Sequence, residues 1–213
     1  ATTLGFLVTN AGLSQNQLKV CLKKAIDVSY NMVSVDTDTS TSDMVLLQST
    51  GKTSIAEHDE HQLVAFQDAL NVACIELAKQ LVKDGEGAKK LIECKIIHSK
   101  SYNEAKQLLK QVINSPLVKT AIAGENPNWG RLVMALGKNP LIKVNPSKIA
   151  IFYGAICIYN KGEQVDNDMA LLENELKKET VSLTIDLGVG NAQAIGWGCD
   201  LNHEYVDINM EYN

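Results

Sequence analysis

The sequence lacks several features that would assign a protein of 213 residues to a common class. It has no apolar run of the ~20 residues that a membrane-spanning helix requires. It has no cluster of lysine and arginine with interleaved aromatic residues, and its formal net charge of −5 is opposite in sign to a nucleic-acid-binding surface. It shows no signal peptide, repeat or low-complexity segment. We therefore expect neither a membrane nor a nucleic acid as its partner.

Cysteine pairs with metal-binding or redox spacing are also missing. An odd number of cysteines lies in apolar stretches without a CxxC motif, at Cys21, Cys74, Cys94, Cys157 and Cys199. This pattern predicts reduced, buried thiols in a reducing compartment, so we expect a cytoplasmic protein, or a mitochondrial matrix protein in a eukaryote. The run EHDEH contains His58 and His61, but its spacing is not that of a zinc-protease helix. A charged helix start is favoured there, and no metal site is expected.

The remaining sequence predicts strands and helices around a sizeable core. The longest helical pattern runs from His58 to Lys83. Further helices are predicted from the Ser14 cap to Asp27 and at 103–113, 129–136 and 167–177, with strands at 3–9 (buried), 32–35, 44–48, 88–97, 149–153, 155–159, 181–187 and 192–197. This mixture favours an α/β (α+β layered) fold, with mixed sheets packed with long helices. We expect one domain over residues 1–213, in which residues 139–147 can divide two lobes.

The amino terminus reads Ala1-Thr2-Thr3 and leads directly into the first strand, without an initiator methionine. We interpret this terminus as the product of processing or of the choice of segment. A terminal threonine is what an N-terminal-nucleophile enzyme uses. Its hydroxyl attacks a carbonyl, and its freed α-amine, with a pKa of about 7.7–8.0, accepts the proton. The alternative is a threonine that only packs at the start of a strand.

Three further segments are not explained by packing alone. The loop DTDTSTSD at residues 36–43 is rich in carboxylates but lacks the glycine and closing glutamate of an EF-hand, so a loop bonded to its own backbone is favoured over a metal site. The turn at residues 84–87 places Glu86 between two glycines. It is either a helix C-cap or a carboxylate for a substrate ammonium, and both hypotheses stay open. The loop GENPNWGR sets Trp129 and Arg131 at a helix start, where a packed corner is slightly favoured over an anion contact.

Five segments together resemble the ornithine acetyltransferase family, the glutamate N-acetyltransferases of the acetyl cycle in arginine biosynthesis. They occur in the family's order, as ATTLGFL at 1–7, DTSTSD at 38–43, DGEG at 84–87, GENPNWGR at 124–131 and WGCDL at 197–201. The resemblance covers essentially the whole chain. In that family one precursor cuts itself before a threonine, and the resulting α and β chains stay associated. This sequence resembles the β chain.

The resemblance implies that Thr2 is the nucleophile, both in cleavage of the bond between Ala1 and Thr2 and in accepting acetyl from N-acetylornithine as an acyl-threonine ester. Glutamate then takes the acetyl group in a ping-pong reaction. Glu86 and Asn209 match substrate-binding residues of the family. The oxyanion hole and a substrate-binding lysine belong to the α chain, so the β chain alone is expected to be nearly inert. The family also implies αβ pairs that assemble further and no cofactor, with acetyl-CoA open as a second acetyl donor.

Three departures from the family pattern bear on this interpretation. Ala1 corresponds to the residue before the scissile bond yet heads this chain. The tail ends at Tyr212-Asn213 without a final Thr or Ser, and Ser42 and Asn126 stand where relatives commonly carry Asn and Asp. Two alternatives therefore remain. One is an N-terminal-nucleophile amidase or aminopeptidase that uses water as the acceptor, and the other is a catalytically diverged scaffold subunit.

Overall fold

The computed structural model describes residues 2–55 and 59–211. The predictions that concern Ala1, His58 and the final Tyr212-Asn213 fall outside the described residues. All five cysteines are described and are free thiols; four of them are buried, as the sequence predicts, whereas Cys157 is only half-buried.

The chain divides into two compact units that are interleaved in sequence. The first comprises Ala1–Asn31 and Asp38–Leu81, and the second comprises Met32–Thr37 and Val82–Asn213. Residues 139–147 lie inside the second unit, so this division does not fall there. A single domain over residues 1–213 stays a prediction.

The first unit is built from two parallel strands and two helices. Strand β1 (Leu4–Gly12) pairs in parallel with β3 (Met44–Ser54), beginning at Leu4 opposite Met44. Helices α1 (Gln15–Val28) and α2 (Glu60–Lys83) contribute the buried core, Cys21, Ala25, Leu70 and Cys74, against which Leu7, Tyr30, Leu47, Leu63 and Phe66 pack. Both helices are long enough to cover one face of so narrow a sheet.

Both helices of the first unit begin at side-chain caps, of which the sequence indicates the first, Ser14. Ser14 and Gln17 form a reciprocal capping box at the start of α1. Asp59 Oδ1 accepts a hydrogen bond from Gln62 N at 3.0 Å at the start of α2, and His61 is exposed. The described part of the EHDEH run is therefore a charged helix start, as favoured above.

One face of the first unit's sheet is not covered by the described chain. β1 is a strand as predicted, but the expectation that it is buried is wrong for this face, since Phe6 is 63% and Val8 71% exposed. Side chains alternate across a strand, so the exposed face is formed by Leu4, Phe6 and Val8 of β1 with Met44 and Leu46 of β3. We call these five residues the outer apolar face.

The second unit contains a seven-stranded mixed sheet in the order β2-β9-β4-β8-β5-β6-β7. Its strands are β2 (Val33–Ser34), β4 (Leu91–Ser99), β5 (Ala150–Tyr153), β6 (Ile156–Asn160), β7 (Glu163–Gln164), β8 (Thr180–Asp186) and β9 (Ala192–Cys199). β4 is the third strand in this order and runs parallel to β8 and antiparallel to β9. Together with the helices, this sheet confirms the predicted mixed α/β class.

Five helices complete the second unit. They are α3 (Tyr102–Ile113), α4 (Pro116–Ala123), α5 (Trp129–Gly137), α6 (Met169–Leu176) and α7 (His203–Glu211). α3 packs across β4 and β9, and α6 packs against β5 and β8. The sequence patterns predict α3, α5 and α6 but miss α4 and α7. None of the helices in the described ranges is both long and apolar enough to cross a membrane.

Candidate active site

Thr2 lies at the head of β1 with its side chain exposed. Its Oγ1 accepts a hydrogen bond from Ser40 Oγ at 3.4 Å. The next residue is held more firmly, since Thr3 N donates to Asp43 Oδ1 at 2.8 Å and Thr3 O accepts from Met44 N at 2.9 Å. The hydroxyl of Thr2 is thus accessible while the backbone just after it is fixed.

The polar loop that contains these contacts is bonded within itself and to the amino-terminal strand. Ser42 N donates to Ser40 Oγ at 3.3 Å, and the Thr41 and Ser42 hydroxyls lie 3.4 Å apart. Asp43 serves the backbone of Thr3. Among the residues that the structure describes, no group of three or more His, Cys, Asp or Glu side chains is arranged to hold a metal ion. The loop therefore acts as a support for the threonine.

Glu86 lies half-buried in the turn after α2, in the second unit. Both flanking glycines are required by close packing. A Cβ at Gly85 would lie 2.9 Å from Val35 Cγ1, and Gly87, at a φ of +66°, would place one 2.6 Å from Tyr205 N. Within the described ranges, no group pairs with the Glu86 carboxylate. Close packing thus accounts for both glycines, and the carboxylate stays available for a ligand.

The turn is held in place by the segment that follows β9. Asp200 Oδ1 accepts hydrogen bonds from Lys89 N at 2.8 Å and Lys90 N at 2.9 Å. Asn202 Nδ2 donates to Gly87 O at 2.7 Å, while its Oδ1 accepts from Glu204 N at 3.0 Å. The same asparagine therefore binds the Glu86 turn and caps α7.

Asn209 is exposed on α7, where its Nδ2 donates to Tyr205 O, one turn earlier, at 2.9 Å. Tyr205 also donates from its hydroxyl to Asp36 Oδ2 at 3.1 Å. Because Gly87 packs against the first turn of α7, the elements that carry Glu86 and Asn209 are in direct contact. Thr2 belongs to the other unit.

A buried lysine lies beneath this segment. Lys119 of α4 is only 2% exposed, donates from Nζ to the Cys199 carbonyl and lies 3.6 Å from Cys199 Sγ. Burial lowers the pKa of Lys119, and the neighbouring Cys199, Asp200 and Asp36 oppose that shift. Burial raises the pKa of the Cys199 thiol, against the effect of Lys119. The lysine thus ties α4 to the carboxyl end of β9.

The GENPNWGR loop is a packed corner. Arg131 Nη1 donates to Leu117 O at 2.8 Å and to Thr120 Oγ1 at 3.2 Å, and Asn128 Oδ1 caps α5 by accepting from Arg131 N. Trp129 stacks on Tyr159 with the ring centroids 4.9 Å apart. These contacts occupy Arg131 with protein groups and support the corner hypothesis over an anion contact.

An ion pair links this corner to the strand after the Glu86 turn. Lys90 Nζ donates to Glu125 Oε1 at 2.8 Å and to Leu176 O at 2.6 Å. The hydrogen bond from Lys90 is the main cause that holds the pKa of the Glu125 carboxyl below its usual value. Two of the motifs, GENPNWGR and WGCDL, are therefore joined by hydrogen bonds through Lys89 and Lys90, which follow DGEG closely in sequence.

Residues 1–213 match the sequence profile of the ArgJ family over the whole chain. The chain belongs to the ArgJ family. This confirms the resemblance drawn from the five motifs. Two of these motifs, GENPNWGR and WGCDL, are the ones that the hydrogen bonds of Lys89 and Lys90 connect.

Individual ArgJ proteins are similar over the full length of this chain. The arginine biosynthesis bifunctional protein ArgJ of Oceanobacillus iheyensis is 43% identical over 214 residues, which is 100% of this chain and 52% of that protein. That of Bacillus licheniformis is 39% identical with the same coverage. The crystal structure of the Bacillus halodurans protein matches with 35% identity and a TM-score of 0.93, covering 99% of this chain and 100% of that one. The chain spans about half the length of the curated relatives it matches.

Several residues that organise the candidate site were given no role by sequence reasoning. Asp200 stands in the WGCDL motif, whose position directly after a strand was the available signal. Asn202 and Lys119 lie on or beside the two helices that the patterns missed, α7 and α4. Their partners are distant in sequence, by 115 residues for Asn202 and Gly87, so spacing alone does not reveal them.

Proposed function

We propose that this chain is the β subunit of a self-cleaving glutamate N-acetyltransferase, which transfers acetyl from N-acetylornithine to glutamate through an acetyl-threonine intermediate. The observation that carries the proposal is the exposed Thr2 hydroxyl at the head of β1, in a chain of the ArgJ family. The names of the similar proteins place them in arginine biosynthesis.

The chemistry assigned to Thr2 is a double displacement. Its hydroxyl oxygen attacks the acetyl carbonyl of N-acetylornithine, the carbonyl carbon–nitrogen bond breaks, and the hydroxyl proton leaves on the ornithine amine. The amine of glutamate then attacks the threonine ester, and the proton returns to Thr2 Oγ1. The free α-amine of Thr2 is the proton carrier closest in sequence, and its unperturbed pKa of about 7.7–8.0 suits that task.

Substrate recognition is assigned to Glu86, with help from Asn209. A half-buried carboxylate that no described group neutralises is a strong partner for a substrate ammonium, because the pair is only partly screened by water. Asn209 retains its carbonyl oxygen Oδ1 as an acceptor while Nδ2 is engaged with Tyr205 O.

The outer apolar face supports dependence on a second chain from the same precursor. Parallel strands are normally covered on both faces, and two strands alone are marginally stable in water. Here Leu4, Phe6 and Val8 are exposed, in a chain that spans about half of its relatives' length. We assign the covering role to the α chain, which would also supply the oxyanion hole, and we expect the αβ pairs to assemble further.

The test is the intact mass of this chain in the complete αβ protein after incubation with N-acetylornithine alone. We expect a chain that starts at Thr2 and gains one acetyl group, which is lost again when glutamate is added. An acetyl group that disappears in buffer without glutamate would support the amidase hypothesis. A chain that keeps Ala1 and gains nothing would support the scaffold hypothesis and would contradict the proposal.

A further inference from the structure

The Glu86 turn and α7 are joined by two side chains that lie outside the substrate-binding set. We infer that Asp200 is a positioning residue for the Glu86 turn: together with Asn202 it fixes the Glu86 carboxylate relative to α7, which carries Asn209. This inference rests on the substrate role proposed for Glu86.

The first step is the backbone clamp. Asp200 is 4% exposed, and one of its carboxylate oxygens, Oδ1, accepts from the consecutive amides of Lys89 and Lys90 at 2.8 and 2.9 Å. Hydrogen bonds to an ionised acceptor are short and about twice as strong as neutral ones. The Asp200 amide also donates to Lys90 O at 3.2 Å. The segment that follows the Glu86 turn is therefore bonded to Asp200, at the end of β9, through two amides and one carbonyl.

The second step is the coupling to α7. Asp200 Oδ2 accepts from Asn202 Nδ2 at 3.3 Å, and the same nitrogen donates to Gly87 O at 2.7 Å. This orients the amide so that Asn202 Oδ1 faces the amides of Glu204 and Tyr205 at 3.0 and 3.4 Å. A single amide group, oriented by Asp200, thus joins the residue after Glu86 to the start of α7.

The third step is the charge. Asp200 is one of the groups whose negative charge favours the ammonium form of the buried Lys119. Replacing Asp200 by alanine removes the clamp and also a negative charge that favours the ammonium form of this buried lysine. Replacing it by asparagine removes the charge but keeps an oxygen that can accept from both amides, so asparagine is the milder change.

The consequence for the reaction is specific. Asp200 is too buried to contact a substrate itself, so its effect passes through the position of the Glu86 carboxylate, and a displacement of about 1 Å in such a group can cost on the order of 10²-fold. Its loss should act through Glu86 on substrate binding and leave the chemistry at Thr2 unaffected.

The experiment is a double-mutant cycle in the full-length precursor, with the variants Asp200→Ala, Glu86→Gln and both together, measured by KM for N-acetylornithine, kcat and extent of self-cleavage. We expect Asp200→Ala to raise KM about tenfold or more with self-cleavage unchanged. In the Glu86→Gln background the same substitution should change KM by less than about twofold, because residues that act as one unit are not additive. Asp200→Asn should raise KM much less than Asp200→Ala does. Asp84→Asn, at an exposed acid of the same turn, is the matched control.

The outcomes separate this inference from the proposed function. An unchanged KM in Glu86→Gln alone would remove the substrate role of Glu86, and this inference with it. If Glu86→Gln raises KM but Asp200→Ala raises it by the same factor in both backgrounds, or not at all, only the positioning role is overturned. Should Asp200→Ala fail to fold, the same cycle with Asn202→Ala tests the positioning role. That change removes the contact to Gly87 and leaves the charges around Lys119 unchanged.

Discussion

The two units of the chain differ in how completely they bury their own sheets. In the second unit the central strands bury their alternating apolar side chains, with Ile92 and Ile96 of β4 and Ile185 of β8 inaccessible to solvent. In the first unit Phe6 and Val8 of β1 are mostly exposed. The second unit therefore covers the apolar side chains of its central strands, whereas the first leaves an apolar face in contact with water, which is unfavourable.

The same division separates the proposed chemical tasks. Thr2, the proposed nucleophile, lies in the first unit, while Glu86 and Asn209, the proposed substrate-binding residues, lie in the second. The unit whose outer apolar face another chain would cover is thus also the unit that carries the Thr2 hydroxyl. Covalent chemistry and substrate recognition should respond differently to mutation.

Removing the nucleophile gives the largest expected effect. Thr2→Ala in the full-length precursor should abolish both self-cleavage and acetyl transfer, with transfer falling by at least about 10³-fold, because no other group replaces an activated hydroxyl. Cleavage is read from chain masses and transfer from N-acetylglutamate formation.

Two matched variants make that result interpretable. Thr3→Ala, at the adjacent residue, should retain both activities, since Thr3 is held through its backbone. Glu86→Gln should cleave normally and lose only substrate affinity. A Thr2→Ala protein that still cleaves or transfers would remove the covalent role from the first unit.

The outer apolar face can be tested by stability. We expect Phe6→Ser to lower the free energy of unfolding of the complete αβ protein by about 3 kcal/mol, because a covered phenylalanine would be lost. In the isolated chain, where Phe6 is exposed, the change should stay within about 0.5 kcal/mol. Urea unfolding of both forms gives the comparison.

The control for this face is Val72→Ser, at an equally exposed valine of α2 that does not belong to the sheet. It should have a small effect in both forms. Equal, small effects of Phe6→Ser in the two forms would show that no chain covers the outer apolar face.

The smallest expected effect tests how well the second unit excludes water from Lys110. Burial, with repulsion from Lys106, lowers the pKa of Lys110 to about 8, and its Nζ donates to Val33 O at 2.7 Å. Between that pH and the ordinary lysine pKa of about 10.4 the unfolded chain binds more protons, so this group makes the folded state more stable as pH rises.

The measurement compares unfolding of the wild type and Lys110→Met at pH 7 and pH 9.5. The wild type should gain about 1 kcal/mol or less relative to the variant at the higher pH. No relative gain would mean that solvent reaches Lys110 more freely than its burial indicates.

Much of the fold follows from local patterns, and the failures have identifiable causes. Helices α1 and α2 can be predicted because apolar residues recur at helical spacing, and α1 also follows the Ser14 side-chain cap. The patterns miss α4 because it is a short helix that starts at Pro116 and runs into Gly124, although proline is favoured in the first turn of a helix. α7 has no buried residue, so its sequence shows no apolar stripe.

The candidate site was predictable only in part. The motifs give Thr2 and Glu86, because threonine at a terminus and a glutamate between glycines are unusual in themselves. The clamp by Asp200 depends on residues 110 and 111 positions apart, which no local pattern encodes. The continuous apolar run at the start of β1 predicts burial on both faces, and nothing in it reveals that one face is left open within this chain.

The pairing of β1 with β3 has a mechanical consequence for a cut before Thr2. The strand ladder starts at Leu4 opposite Met44, and Thr3 is already held at both its amide and its carbonyl. Breaking the peptide bond before Thr2 would therefore break no hydrogen bond of the ladder and would leave the strand register unchanged. Cleavage at this point would change the covalent connectivity of the precursor while the start of β1, which presents Thr2, keeps all of its hydrogen bonds to β3 and Asp43.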